Sequence, residues 1–298
     1  MILFLLFIIL YNSKKKKSSK YKNPYVDVSL YKLPLSENPT FPTVRYSKFE
    51  LENDYLQAKD NFVYPNVSYI VEKNLLHYMK KTKYDFIDLG LPSGLKWAAW
   101  NVGATKPEES GLYFAWGEDK GYVVTRGELH DENLGWYHAV ITNADGSETT
   151  KKFNEDFSDY EHYENDTYTK YNSTDGLTTL ETEDDGCYLD EKTMRMPTSG
   201  DCAELIANTT SAWTENYNGS GINGLTLTSK TNGNSIFVPA VGATYNGTLG
   251  RFGLSGVFWS SSLYSSVEEA LYFVFSSDGL GVIHDYRFGG IPLRAVRP

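Results

Sequence analysis

Beyond Asn208 the chain is punctuated by Asn-Gly pairs, at Asn218-Gly219, Asn232-Gly233 and Asn246-Gly247. Both residue types tolerate positive φ, so such pairs close tight hairpins between antiparallel strands. A chain that turns back this often leaves little room for long helices, and short strands must fill the intervals. The stretch Val257 to Val296 reads as a run of such strands. Upstream, Asp85 to Leu89 reads as a strand, Leu91 to Leu95 as a turn and Lys96 to Trp100 as a second strand. Ser199 to Asn208 is the best helix: Thr198 caps its start, Asp201 reaches back as in a capping box, and Leu205 and Ile206 supply an apolar side. No solenoid repeat is visible. The fold class is α+β, with β dominant.

At 298 residues the chain is long enough for one large domain and a smaller module. Its 23 tyrosines cannot all be buried, because each hydroxyl needs a partner or water. Surface tyrosines supply rigid contact area, which reads as recognition; an ordinary β-rich domain with wet tyrosines is the plainer reading. A net charge of −10 argues against a nucleic-acid surface, which needs a basic stripe. The acidic excess between Asp145 and Glu191 reads as a solvated loop, with an incidental cation site as the alternative. Cys187 and Cys202 match neither a redox CxxC nor a zinc site, and pairing across a short loop stays open.

No nucleophile elbow, HExxH motif or phosphate-cradling glycine loop occurs, and His77, His130, His138, His162 and His284 are scattered without ligand spacing. His284 and Asp285 are neighbours on an expected strand, so they point to opposite faces and make a poor acid–base pair. The residues therefore predict a protein that is not an enzyme and needs no metal or cofactor.

Three segments are expected: a hydrophobic and basic amino-terminal stretch over 1–22, a small β-rich module or linker over 23–83, and the main domain over 84–298. The first has an apolar run, Met1 to Leu10, followed by Lys14 to Lys17. Ten residues do not span a bilayer, which needs about 20. A peg into a larger assembly, an atypical export signal and an interfacial anchor all remain open.

The stretches Asp85 to Glu118 (DFIDLGLPSGLKWAAWNVGATKPEESGLYFAWGE), Arg195 to Ile206 (RMPTSGDCAELI), Asn232 to Gly242 (NGNSIFVPAVG), and the ending with GVFWSSSLYSS, ALYFVF and YRFGGIPLRAVRP form four collinear blocks. Together they resemble the Fibrobacter succinogenes major paralogous domain family of Bacteroidetes surface proteins. The resemblance implies a C-type-lectin-like domain preceded by the small module, and a binding role. A weaker likeness of Pro65 to Tyr78 to connectors in phage structural proteins raises a virion-fibre reading to equal standing. The expected setting is therefore extracellular, on a virion or a bacterial cell. Expected partners are a cell-surface glycan or protein receptor, with virion or pilus subunits contacting the amino-terminal region. A homo-oligomer is compatible, a trimer if the protein is a fibre. Calcium-dependent sugar binding is not expected, since neither Glu-Pro-Asn, Gln-Pro-Asp nor Trp-Asn-Asp occurs. A structural subunit whose domain is decorative is the alternative function.

Alternation places Leu271, Phe273 and Phe275 on one face and Tyr272 and Val274 on the other. The Phe pair is the better core, which leaves Tyr272 and Val274 outward. Family members vary just after the WSS motif and around Ile283 to Tyr286. The resemblance thus gives a ligand face of Leu263, Tyr264, Tyr272, Val274, Ile283, His284, Asp285, Tyr286 and Phe288. Trp97, Trp116 and Trp259 are read as core, and Arg287, Arg294 and Arg297 as scaffold cations that pair with carboxylates or backbone carbonyls.

Overall fold

A computed structural model describes residues 84–298. The expected amino-terminal segment and module lie outside the described residues. The described chain begins with short strands β1 (Phe86–Asp88), β2 (Lys96–Ala98) and β3 (Tyr113–Phe114), then a long hairpin of β4 (Tyr122–Asp131) and β5 (Trp136–Asn143). A turn-rich stretch follows with β6 (Tyr163–Glu164), β7 (Thr167–Tyr168) and the short helix α1 (Gly186–Asp190). Next come α2 (Ser199–Asn208), β8 (Thr209–Thr214), β9 (Gly224–Ser229), β10 (Ser235–Pro239), β11 (Ala243–Tyr245) and β12 (Thr248–Gly250). The chain closes with β13 (Ser255–Leu263), β14 (Glu269–Ser276), β15 (Gly279–Tyr286), β16 (Ile291–Pro292) and β17 (Val296–Arg297). The domain is α+β and β-dominated.

All named strand pairs are antiparallel. A six-stranded sheet runs β11-β12-β5-β4-β3-β16, and three-stranded sheets run β1-β2-β17, β10-β9-β8 and β13-β14-β15. Pairing of β17 with β2 ties the end of the chain to the first strands described. Local chemistry explains the joints. Asn246 (φ 49°) and Gly247 (φ 71°) both sit at positive φ, and they close β11 onto β12 as the Asn-Gly pair predicts. Thr198 accepts from the Asp201 amide at 3.1 Å while Asp201 accepts from the Thr198 amide at 2.8 Å, so α2 starts with the expected capping box. The last turn of α2 runs straight into β8.

The interior is built around the three tryptophans. Trp97 packs with Leu89, Phe258, Phe273, Phe275 and the α2 residues Cys202 and Leu205. Trp116 and Trp259 share a second cluster with Tyr171 and Tyr272. A third gathers Tyr113, Tyr122, Phe153, Tyr160, Tyr168 and Phe288. Four of those aromatics, Phe153, Tyr160, Tyr168 and Tyr171, come from the acidic stretch, which is therefore not simply a solvated loop. Its tyrosines Tyr160, Tyr168 and Tyr171 converge with Trp116 on Arg287, which is fully buried with its guanidinium 4.7–5.7 Å from the four rings. Arg287 donates to the Tyr160 hydroxyl and to the carbonyls of Lys170, Tyr171 and Val267. Arg294, equally buried, donates to Asn101 Oδ1 and to the carbonyls of Ala98 and Phe237. Of the two partner types expected for these cations, backbone carbonyls are the ones used, while Arg297 lies over the Phe86 ring at 4.2 Å. Desolvation lowers the pKa of Arg294 to about 9. Cys187 and Cys202 are both buried free thiols.

Candidate functional site

Strand β14 organises the carboxyl-terminal sheet, and its register with β15 runs without interruption from Glu269↔Tyr286 to Ser276↔Gly279. Directly paired residues share a face. Phe273 and Phe275 therefore lie with Val282 and Leu280 on one face, which closes against α2. Tyr272 and Val274 lie with Ile283 and Gly281 on the other, and Ala270 with Asp285. This second face is not turned straight to solvent. It forms the floor of a cleft of about 990 Å³ whose lining includes Val257, Tyr272 and Val274.

Beside that floor, β15 contributes Gly281, Ile283 and Asp285. Opposite stand His130 and Trp136 of the β4–β5 hairpin, with Arg251 after β12 and Tyr245 of β11. Trp136 is 40% exposed, and its indole lies alongside Gly250 of β12, where even a Cβ would stand at ordinary contact distance, 3.4 Å from Trp136 Nε1. His130 lies beside Trp136 and His138, at 6.3 and 5.9 Å between ring centroids. Tyr245 donates its hydroxyl to Asp285 Oδ2 at 2.9 Å. Burial first, and then the Asp285 charge, hold the Tyr245 phenol well above its ordinary pKa, so it stays a donor. Asp285 keeps its other oxygen on the Tyr286 amide. The cleft thus joins apolar and aromatic surface to an oriented carboxylate and a free guanidinium, a combination suited to holding an amphipathic ligand.

The expected ligand face is redistributed by this geometry. Tyr272, Val274, Ile283 and Asp285 come together in the cleft. The expectation that Tyr272 points outward is corrected: it is 8% exposed, edge-on to Trp259, because both faces of β14 are covered at that point. Phe288 is likewise buried, packed edge-on against Phe157 and Tyr245, since it follows the strand into the third aromatic cluster. Leu263 and Tyr264 are half-buried outside the cleft lining, and Tyr264 lies flat on His284 at 3.7 Å. His284 Nδ1 meets Glu269 Oε1 at 3.0 Å, on the face opposite Asp285. Tyr286 remains 45% exposed and stacks on Phe288.

Sequence reasoning missed His130, Trp136, Tyr245 and Arg251. A local signal existed at Trp136, which follows the turn Asp131 to Gly135 and begins a strand whose exposed positions are Trp136, His138 and Val140. Both faces of that strand carry aromatic or apolar residues, so the alternation did not mark an outer side.

Two charged groups outside the cleft are accounted for by the scaffold. Lys151 Nζ is held by both Glu118 oxygens, at 2.7 and 2.8 Å, in a buried pair. Burial raises the Glu118 pKa against the lowering effect of Lys151. Glu181, Glu183 and Asp184 converge as a cation site would, but the Lys170 ammonium already sits among them at 2.7, 3.1 and 2.6 Å.

No family model matches this chain, and comparisons with curated proteins and with solved structures find no match. Among the described residues no helix is long and apolar enough to cross a membrane.

Proposed function

We propose that this is a non-enzymatic receptor- or glycan-binding protein whose carboxyl-terminal domain, of C-type-lectin-like type, presents the cleft between β14–β15 and the β4–β5 hairpin to its ligand. The observation that carries this reading is the cleft itself: an exposed indole, apolar floor positions and the Tyr245–Asp285 pair face one open space of about 990 Å³. A volume of that order suits a short oligosaccharide or a peptide segment. The setting that fits is extracellular, as a phage fibre tip or a bacterial surface adhesin, with the amino-terminal region engaging virion or pilus subunits.

The test is attachment. Purified protein carrying Trp136→Ala together with Ile283→Asp is compared with the parent for binding to Bacteroidetes cells, alongside thermal melting. Loss of attachment at an unchanged melting temperature supports the proposal. Unchanged attachment transfers the protein to the alternative class, a structural subunit with a decorative domain.

A further inference from the structure

Strand β15 is the outermost strand of its sheet, and its hydrogen-bonding phase can be read from its neighbours. The Arg287 amide turns back to Glu268, the Phe275 carbonyl accepts from Ser255 on the β13 side, and the Tyr286 amide is bonded locally to Asp285. Residues 279, 281, 283 and 285 therefore direct their backbone groups to β14, while Leu280, Val282 and His284 direct theirs away from the sheet. Among the described residues no strand pairs with that outer row.

Apart from Asp285 and the acidic residues at its two ends, the edge lacks the devices that keep such edges from pairing. It contains no proline and no lysine, its register with β14 has no bulge, and Ile283 and Tyr286 are each 45% exposed on it. By contrast β10 ends in Pro239, and β1, β16 and β17 are only two or three residues long. Strands β8, β11 and β13 are also outermost, but no residue of β8 lines the cleft, β11 has only three residues, and the outer side of β13 is already bonded to Gly242, Pro197 and Thr178. Gly279 and Gly281 leave open space where side chains would stand, so the backbone is approachable on the cleft side.

Resting on the binding role proposed above, the geometry points to the class of ligand: an extended polypeptide segment of another protein that adds as a strand to β15 and sends alternate apolar side chains into the cleft. This is strand addition, in which main-chain bonds give affinity and side-chain pockets give selectivity. Charge selects the segment further. Glu268, Glu269, Asp278 and Asp285 flank the two ends of β15 in a chain of net charge −10, which favours a strand bearing lysine or arginine. The same charges disfavour a second copy. Antiparallel pairing of two β15 strands about Val282 would set Asp285 of each beside Gly279 and Asp278 of the other.

The experiment titrates the full chain with two acetylated peptides, one alternating valine with lysine and one alternating valine with glutamate, and follows amide hydrogen exchange. The valine–lysine peptide is expected to slow exchange at Leu280, Val282 and His284, and the valine–glutamate peptide to bind more weakly. His284→Pro removes an outward amide that no β14 group uses, a place where an edge strand tolerates proline. It is expected to weaken binding about tenfold relative to His284→Ala, the loss of roughly one well-made hydrogen bond, with the same melting temperature. Equal binding by the two variants, or no protection of those amides at saturation, overturns the inference. So does protection that grows with protein concentration alone, which would mean self-pairing, and so does a glycan bound equally by both variants. If Trp136→Ala with Ile283→Asp abolishes cell attachment but His284→Pro does not, the cleft stands and strand addition falls. If neither change affects attachment, both readings fall.

Discussion

The two faces of the β13–β14–β15 sheet begin from one alternation and end in different environments. On one face Phe258 and Phe273 stack at 4.7 Å, 8° from parallel, and are sealed by α2 and β9. On the other, Trp259 and Tyr272 meet edge-on, and the surface then opens into the cleft under Trp136. Both faces carry aromatics of similar size. The difference is what covers them: a helix and a sheet whose apolar sides fit in the first case, and in the second β3 and β16, which cover Trp259 and Tyr272 and leave the rest of that face open toward the hairpin. An aromatic side chain is thus scaffold where its contacts are complete, and where they are not it is surface open to the cleft.

The sharpest way to break that contrast is to cut into the sealed face. Phe273→Ala should cost about 3–5 kcal/mol, the range for a large buried side chain whose surroundings cannot collapse. Urea unfolding with an unchanged m-value checks it. A cost under about 1 kcal/mol would mean that the sealed face is as loosely packed as the cleft. Arg294→Ala comes next, at about 3 kcal/mol, because it strands Asn101 Oδ1 and the carbonyls of Ala98 and Phe237 without a donor. The carbonyl-rich surroundings of Arg294 and Arg287 predict that lysine, with one compact ammonium in place of the planar fork, restores little.

A smaller effect tests the helix that does the sealing. Thr198→Ala removes the hydroxyl that receives the Asp201 amide and should cost about 1 kcal/mol. Its partner gives a pH dependence of defined sign. Burial of Asp201 works against ionisation, but the Arg195 guanidinium at 2.7 Å and the Thr198 amide outweigh it, so its pKa lies below the ordinary value. A depressed carboxyl stabilises the fold above its unfolded pKa and loses that contribution as pH falls through the folded value. The stability gap between the parent and Asp201→Asn should therefore be full at neutral pH and shrink below about pH 4. A gap that stays constant to pH 2.5 would show that the carboxylate charge contributes nothing to the cap.

How far the chain could be read without coordinates follows the same division. The capping box at Thr198–Asp201, the Asn246-Gly247 hairpin and the buried Trp97, Trp116 and Trp259 were legible because each depends on neighbours in sequence or on bulk apolar size. What escaped depends on remote partners. Tyr160, Tyr168 and Tyr171 look like wet loop tyrosines until Arg287, more than a hundred positions away, draws them inward. Tyr272 reads as an outward residue because alternation assigns faces without telling which face another element will cover. Trp136, at the rim, escaped because both faces of its strand carry aromatic or apolar residues, so alternation does not single it out. Half of the cleft, its β14–β15 side, was therefore visible, and its hairpin side was not.

The smallest expected effect on stability is the one that sharpens the comparison most. Trp136→Ala should change unfolding free energy by no more than about 0.5 kcal/mol, although it deletes the largest side chain type a protein has. The reason is that truncation costs what burial supplied, and Trp136 is only partly covered, alongside Gly250 with its remaining surface in water. Trp259→Ala is the internal control: same residue type, fully buried, its indole N–H bonded to the Phe114 carbonyl at 2.9 Å, and an expected loss of about 3–5 kcal/mol. If the two variants melted alike, Trp136 would be a core residue that happens to touch water, and the cleft would lose its hairpin wall as a binding element. A wide gap between them leaves an exposed indole that folding does not need, on the rim of the cleft, which is what the proposed binding role requires of it.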